Sequence, residues 1–140
     1  MFIDKALQVS NEQAVTTSAA SSDVIDLGQA NPNLGLNDHT SLAITVDNTV
    51  TADGAATVTF SLQDSADNSS FADVVATGAV SKSNLAAGAQ IVLPLPTKLR
   101  RYVRVFYTVA TGPLTGGKFS AQVVTGIQQN TAQPDSPRVA

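Results

Sequence analysis

The chain contains no cysteine. Disulfides, thiolate metal sites and a cysteine nucleophile are therefore excluded. Tryptophan is absent as well, and aromatic residues make up only 5% of the sequence. Sugar sites draw heavily on aromatic platforms, so this scarcity argues against a carbohydrate-binding module. There is a single histidine, His39. Charged residues reach 14%, against about a quarter in ordinary domains. The formal net charge of −3 argues against a nucleic-acid binder. No apolar run approaches the roughly 20 residues of a membrane-spanning helix. The opening Met1-Phe2-Ile3-Asp4-Lys5 has neither a basic region nor a long apolar stretch, so no signal peptide is expected. Synthesis in a cytoplasm, or packing into an assembly there, is the expectation.

What the chain does contain is enough apolar material for a core. Its 140 residues suit one domain, and 43% of them are hydrophobic. Small polar residues replace the missing charges, which suits strands and turns better than helices. Period-two alternation dominates. In residues 56–63 the apolar positions are Ala56, Val58, Phe60 and Leu62, with Thr57, Thr59, Ser61 and Gln63 between them. The same pattern recurs with Leu42, Ile44 and Val46, with Ile91, Leu93 and Leu95, and with Phe119, Ala121 and Val123. Residues 101–109 are apolar on both faces and read as a central strand covered on both sides. Shorter strands are expected over residues 7–10, 24–27 and 71–76. Turn residues separate these runs: Asp53-Gly54, the polar stretch 64–70, Ala87-Gly88, Gly112-Pro113 and Gly116-Gly117. Residues 83–87 suit one turn of helix, and residues 31–38 read as a loop. The expected fold is all-β: a single-domain antiparallel β-sandwich, jelly-roll-like, with seven or eight short strands and extended terminal segments. Residues 1–127 form that domain, and residues 128–140 a polar tail carrying Pro134 and Pro137. The Ala-, Ser- and Thr-rich stretch 13–22, like the tail, reads as an arm that orders against a partner. Phe60, Leu62, Ile44, Val46, Ile91, Leu93, Val105, Phe119 and Val123 are expected to share one core.

Candidate chemistry is thin. Gly112-Pro-Leu-Thr-Gly-Gly117-Lys118 matches the start of a phosphate-binding loop. That motif next needs a Ser or Thr for magnesium and a helix whose N-terminus faces the phosphate. Phe119 has no hydroxyl, and the residues after it alternate like a strand, so a hairpin is the better reading. His39 lies in a polar loop with no nucleophile motif around it, and reads as a surface residue. Asp64, Asp67 and Asp73 lack the alternate spacing and the glycine of a calcium loop, so a tight turn is favoured. Lys98, Arg100, Arg101 and Arg104 hold half of the eight basic residues within seven positions. They read as a patch for an acidic protein surface or as solvated strand-end charges that block aggregation, with a nucleic-acid contact the weakest of the three readings, since only Tyr102 offers a nearby stacking ring. No catalytic, metal or cofactor site is expected, and no enzyme activity.

Longer stretches of the chain resemble a known family. The opening Met1-Phe2-Ile3-Asp4-Lys5, then Leu7-Gln-Val-Ser-Asn-Glu-Gln-Ala-Val15 and Val24-Ile-Asp-Leu-Gly28, are similar to the N-terminus of small podovirus capsid cement proteins. Phe60-Ser-Leu-Gln-Asp-Ser65 with Phe71, and Arg101-Tyr-Val-Arg-Val-Phe-Tyr-Thr-Val109 leading to Gly117, Lys118 and Ala121, extend the resemblance over residues 1–127. It is strongest to the cement (decoration) protein of Bordetella-type phages. The resemblance implies a jelly-roll-like sandwich on the exterior of an icosahedral head, made in the host cytoplasm. It further implies self-association and contact with major capsid proteins of the HK97-like fold, without cofactor, nucleic acid or membrane. The alternative is a non-catalytic sandwich binding module, carbohydrate-directed or tail-associated. For partner contact the expectation falls on Phe2, Ile3, Leu7 and Val9, an apolar strand-competent segment, and on Arg100, Arg101 and Arg104. A two-fold contact through such a strand makes a homodimer the first choice and a trimer the second.

Overall fold

A computed structural model of the protein describes residues 3–30, 32 and 39–127. Among them the regular structure is strand and short 3-10 turn, with no α-helix. Among the described residues no helix is long and apolar enough to cross a membrane. The strands are β1 (Gln8–Ala14), β2 (Ala19–Ala20), β3 (Ile25–Asp26), β4 (Thr40–Thr51) and β5 (Thr57–Ser65). They continue with β6 (Ala72–Ala76), β7 (Val80–Ser81), β8 (Gln90–Pro94), β9 (Tyr102–Ala110) and β10 (Gly116–Thr125).

The strands form two antiparallel sheets. The first has the order β1-β10-β4-β8. In the second, β2 and β3 follow one another along β9, then come β5 and finally β6, with β7 further along β5. Counting β2/β3 and β6/β7 each as one interrupted strand gives four positions per sheet. The chain crosses from one sheet to the other at nearly every connection, staying within a sheet only between β5 and β6. This double Greek key is the connectivity of a jelly roll.

Alternation explains why these segments become strands and which way they face. Val58, Phe60 and Leu62 of β5 point inward, as do Leu42, Ile44 and Val46 of β4. Val103, Val105 and Tyr107 of β9 and Phe119, Ala121 and Val123 of β10 meet them. Register brings the same layers together: Phe60 lies opposite Tyr107 and Leu62 opposite Val105, while Phe119 lies opposite Val46. At the centre, Phe60 meets Tyr107 and Phe119 edge-on at 5.9 and 5.4 Å, and Tyr107 stacks on Phe119 at 5.3 Å. Each such side chain contributes roughly 1.5–3 kcal/mol by leaving water. The Tyr107 hydroxyl donates to Ser10 Oγ at 2.8 Å, so the one polar atom of the trio is satisfied. Of the expected core, Ile91 alone is only half-buried, because β8 is the free edge of the first sheet.

Several expectations change. β9 is central in its sheet, but only one face is fully covered; Tyr102, Arg104 and Phe106 on the other face are half-buried. The turn-like stretch 111–115 is not a hairpin, because β9 and β10 belong to different sheets and the chain arches between them. Residues 13–22 are no loose arm. Ala14 pairs with Lys118 at the end of β1, and Ala19 and Ala20 pair with Tyr107 and Phe106. The expected helical turn is a 3-10 turn at Lys82–Asn84, and a second sits at Lys5–Leu7. The expected tail 128–140, and the expected loop 31–38 apart from the buried Pro32, lie outside the described residues.

Candidate functional site

The terminal strand and the basic cluster are the places to begin. Phe2 lies outside the described residues. Ile3 is 54% exposed and Leu7 half-buried, whereas Val9 is 1% exposed and belongs to the core. β1 is an edge strand, yet its outer rim is largely occupied. The Val9 carbonyl accepts from Asp23 N–H at 2.9 Å and from Ser22 Oγ at 3.2 Å. Gln13 donates from Nε2 to the Ala20 carbonyl and accepts the Ser22 N–H at Oε1. The ladder to β10 is also bulged, with Glu12 at a φ of 45°. Bulges, an edge charge and cover by a neighbouring loop all discourage strand addition. Of the apolar contact candidates among the described residues, Ile3 is therefore the exposed one, not Leu7 or Val9 behind it.

The three arginines do different things. Arg100 closes the connection from β8 to β9 onto the end of β5. Its N–H and Nε donate to the two carboxylate oxygens of Asp64, each at 2.8 Å, and Nη2 donates to the Asp64 carbonyl at 2.7 Å. Asp64 is buried, so this ion pair is structural. Arg101 grips Asp26 of β3 with Nε and Nη2 at 2.7 and 2.8 Å. That grip, with the Gly28 N–H, pushes the Asp26 carboxyl down to about 2. Among the described residues, Arg104 has no carboxylate partner. Its Nε donates to Gln63 Oε1 at 2.8 Å, and Gln63 Nε2 donates to Asp73 Oδ1 at 2.8 Å. Its guanidinium carbon lies 3.7 Å from the centre of the Phe71 ring and 5.9 Å from that of Phe106. Partial burial lowers the pKa of this arginine, with no acid to offset it.

These side chains share one surface. Tyr102, Arg104 and Phe106 alternate on the outer face of β9, Gln63 and Asp73 lie in the adjoining register of β5 and β6, and Phe71 leads into β6. Arg101 sits over Tyr102 at 5.1 Å. Three of the seven aromatic residues thus stand outside the core on one sheet face, half-buried, with two arginines over them. Arginine and aromatic residues are the types enriched in the centres of protein interfaces. The sequence reading found Arg104 but missed Phe71, Gln63 and Asp73 beside it. The available signal was the alternation Tyr102-x-Arg104-x-Phe106; a charge on an apolar face marks an outer surface, not a covered one.

The glycine–lysine stretch, the acidic turn and the histidine each have a defined place in the fold. Lys118 lies within β10, its neighbour a Glu12 carboxylate at 3.9 Å. Gly117 stands at a bulge with a φ of 151°, where a Cβ would sit 3.1 Å from Val50. Asp67 accepts from Ser65 Oγ and from the N–H groups of Ser69 and Ser70, and these bonds hold its carboxyl at about 2. It is a turn residue, as expected. His39 is exposed just before β4, and its carbonyl accepts the Gly126 N–H. Among the described residues no three acidic or histidine side chains converge as a metal site requires.

No curated protein matches the chain. A family model described as Bbp16 matches residues 9–123, from within β1 to within β10. The match covers well over half of the chain and spans all ten strands of the jelly roll, and the chain belongs to the Bbp16 family of phage-associated proteins.

Proposed function

We propose that this protein is a structural virion component, a cement or decoration protein on the outer surface of a tailed-phage head that stabilises contacts between major capsid subunits. The observation that carries this reading is the Bbp16 match across the whole sandwich. The physics is compatible. A shell holding packed DNA benefits from ties between subunits, and a small rigid sandwich with a prepared sheet face supplies them. Many copies act on one lattice, so modest affinity per contact suffices. The exterior position, the HK97-like capsid partner and self-association, as a dimer before a trimer, all belong to this proposal.

A second reading, a sugar-binding face, draws on Phe71, Tyr102 and Phe106. It is weaker, since Arg104 lies over the Phe71 ring, the face a sugar would need. The two separate in one experiment. Heads lacking the protein are heated with and without added purified protein, and the release of DNA or of shell subunits is followed. A raised transition temperature is expected; heads that melt unchanged, while the protein is retained on a glycan array, would favour the second reading.

A further inference from the structure

Arg104 differs from its neighbours in what holds it. Arg100 and Arg101 each end on a carboxylate of this chain. Arg104 is fixed from behind by the chain Asp73–Gln63–Arg104 and from the side by the Phe71 ring. A guanidinium offers five N–H donors, and this one uses only Nε within the described residues. The result is a pre-oriented cation, partly desolvated, against the half-buried rings of Phe71 and Phe106, with Tyr102 on the same face and no counter-charge among the described residues. We propose that this outer face of the second sheet, centred on Arg104 with Phe71, Tyr102 and Phe106, docks a carboxylate-bearing apolar segment of the capsid protein. The carboxylate takes the unused guanidinium donors, and the apolar side chains beside it cover the rings.

Charge complementarity selects this occupant. A carboxylate matches the planar donor fork and gains from the low-dielectric surroundings that the rings provide. Nucleic acid fits poorly, since Arg104 alone would have to carry the phosphate contact on a chain of net charge −3.

The proposal rests on the cement reading, and the test separates the two. Binding of the purified protein to DNA-free heads that lack it is measured by co-sedimentation, for the wild type, Arg104→Gln and Arg104→Lys. Lys98→Gln serves as a control that removes an equal, exposed charge from the same basic stretch of sequence. Arg104→Gln is expected to weaken binding about tenfold or more, the value of a charge-assisted hydrogen bond. Lys98→Gln is expected to bind as the wild type does. Arg104→Lys, which keeps the charge but loses the fork, is expected to lose affinity several-fold, and it carries the test alone should Arg104→Gln fail to fold. Variants that bind heads like the wild type overturn the docking proposal and leave the cement reading standing. Loss of self-association in sedimentation velocity, with head binding unchanged, assigns the face to a second copy and also overturns it. A wild-type protein that does not bind heads overturns both.

Discussion

Replacing Phe60 by alanine tests whether the central aromatic trio organises the sandwich. The ring is fully buried on β5, between β9 on one side and β6 on the other. Phe119 of the opposite sheet packs against it at 5.4 Å, and Tyr107 at 5.9 Å. Truncating a buried phenylalanine costs about 3–5 kcal/mol, depending on how far the site collapses. Collapse is restricted here, because β5 is held in register by strands on both sides and the facing rings are themselves locked. Loss of two edge-on contacts, each about 0.5–1.5 kcal/mol, is part of that cost and places it near the top of the range, at about 4–5 kcal/mol. A domain of this size has a total stability of about 5–15 kcal/mol, so the variant is expected to fold but to melt roughly 10–20 °C lower. Urea titration followed by circular dichroism measures it: the midpoint shifts down and the slope stays unchanged. A loss below about 1 kcal/mol would show that the core does not centre on this ring.

Two further outcomes follow from buried polar atoms. Burial pushes the Tyr107 phenol up to about 12 from its ordinary 10.0, with the Ser10 contact opposing the shift. Folding therefore favours the neutral phenol, so its stabilisation is intact below pH 10 and is lost as pH rises from 10 to 12. The loss is of order 2–3 kcal/mol, and Tyr107→Phe is expected to flatten the stability curve across that window in alkaline urea titrations. Gln122 is buried on β10, and its Oε1 accepts no hydrogen bond from the described residues. Gln122→Met, similar in volume, is expected to raise stability by about 1 kcal/mol in thermal unfolding; a loss of that size would mean the amide is satisfied.

The fold was legible because its main strands obey period two. Phe60 and Phe119 announced their direction through the polar residues beside them, and two facing sets of such strands leave little besides a sandwich. Of the two-residue strands β2 and β3, the second lies within the strand expected over residues 24–27, whereas β2 was not legible inside a stretch rich in Ala, Ser and Thr. They exist because β9 offers an edge and because Ser21 donates its N–H to the Val105 carbonyl, while its Oγ accepts the Val105 N–H. The arch over 111–115 looked like a hairpin for a related reason: turn residues show that the chain bends, not which sheet it enters. At the site, sequence proximity misled. Arg100, Arg101 and Arg104 look like one patch, but their partners Asp64, Asp26 and Gln63 come from distant parts of the chain. Only the fold shows that two of the three charges are already neutralised.

The central claim, a stoichiometric component of the head exterior, is tested most directly on intact virions. Quantitative mass spectrometry of purified particles gives the ratio of this protein to the major shell protein, and limited proteolysis or surface biotinylation of unopened particles gives its side. The expected result is a fixed ratio set by the capsid lattice, within a small whole-number factor of the shell protein, with the protein labelled from outside. A protein absent from virions, present in only a few copies per particle, or protected until the shell is broken would contradict the account.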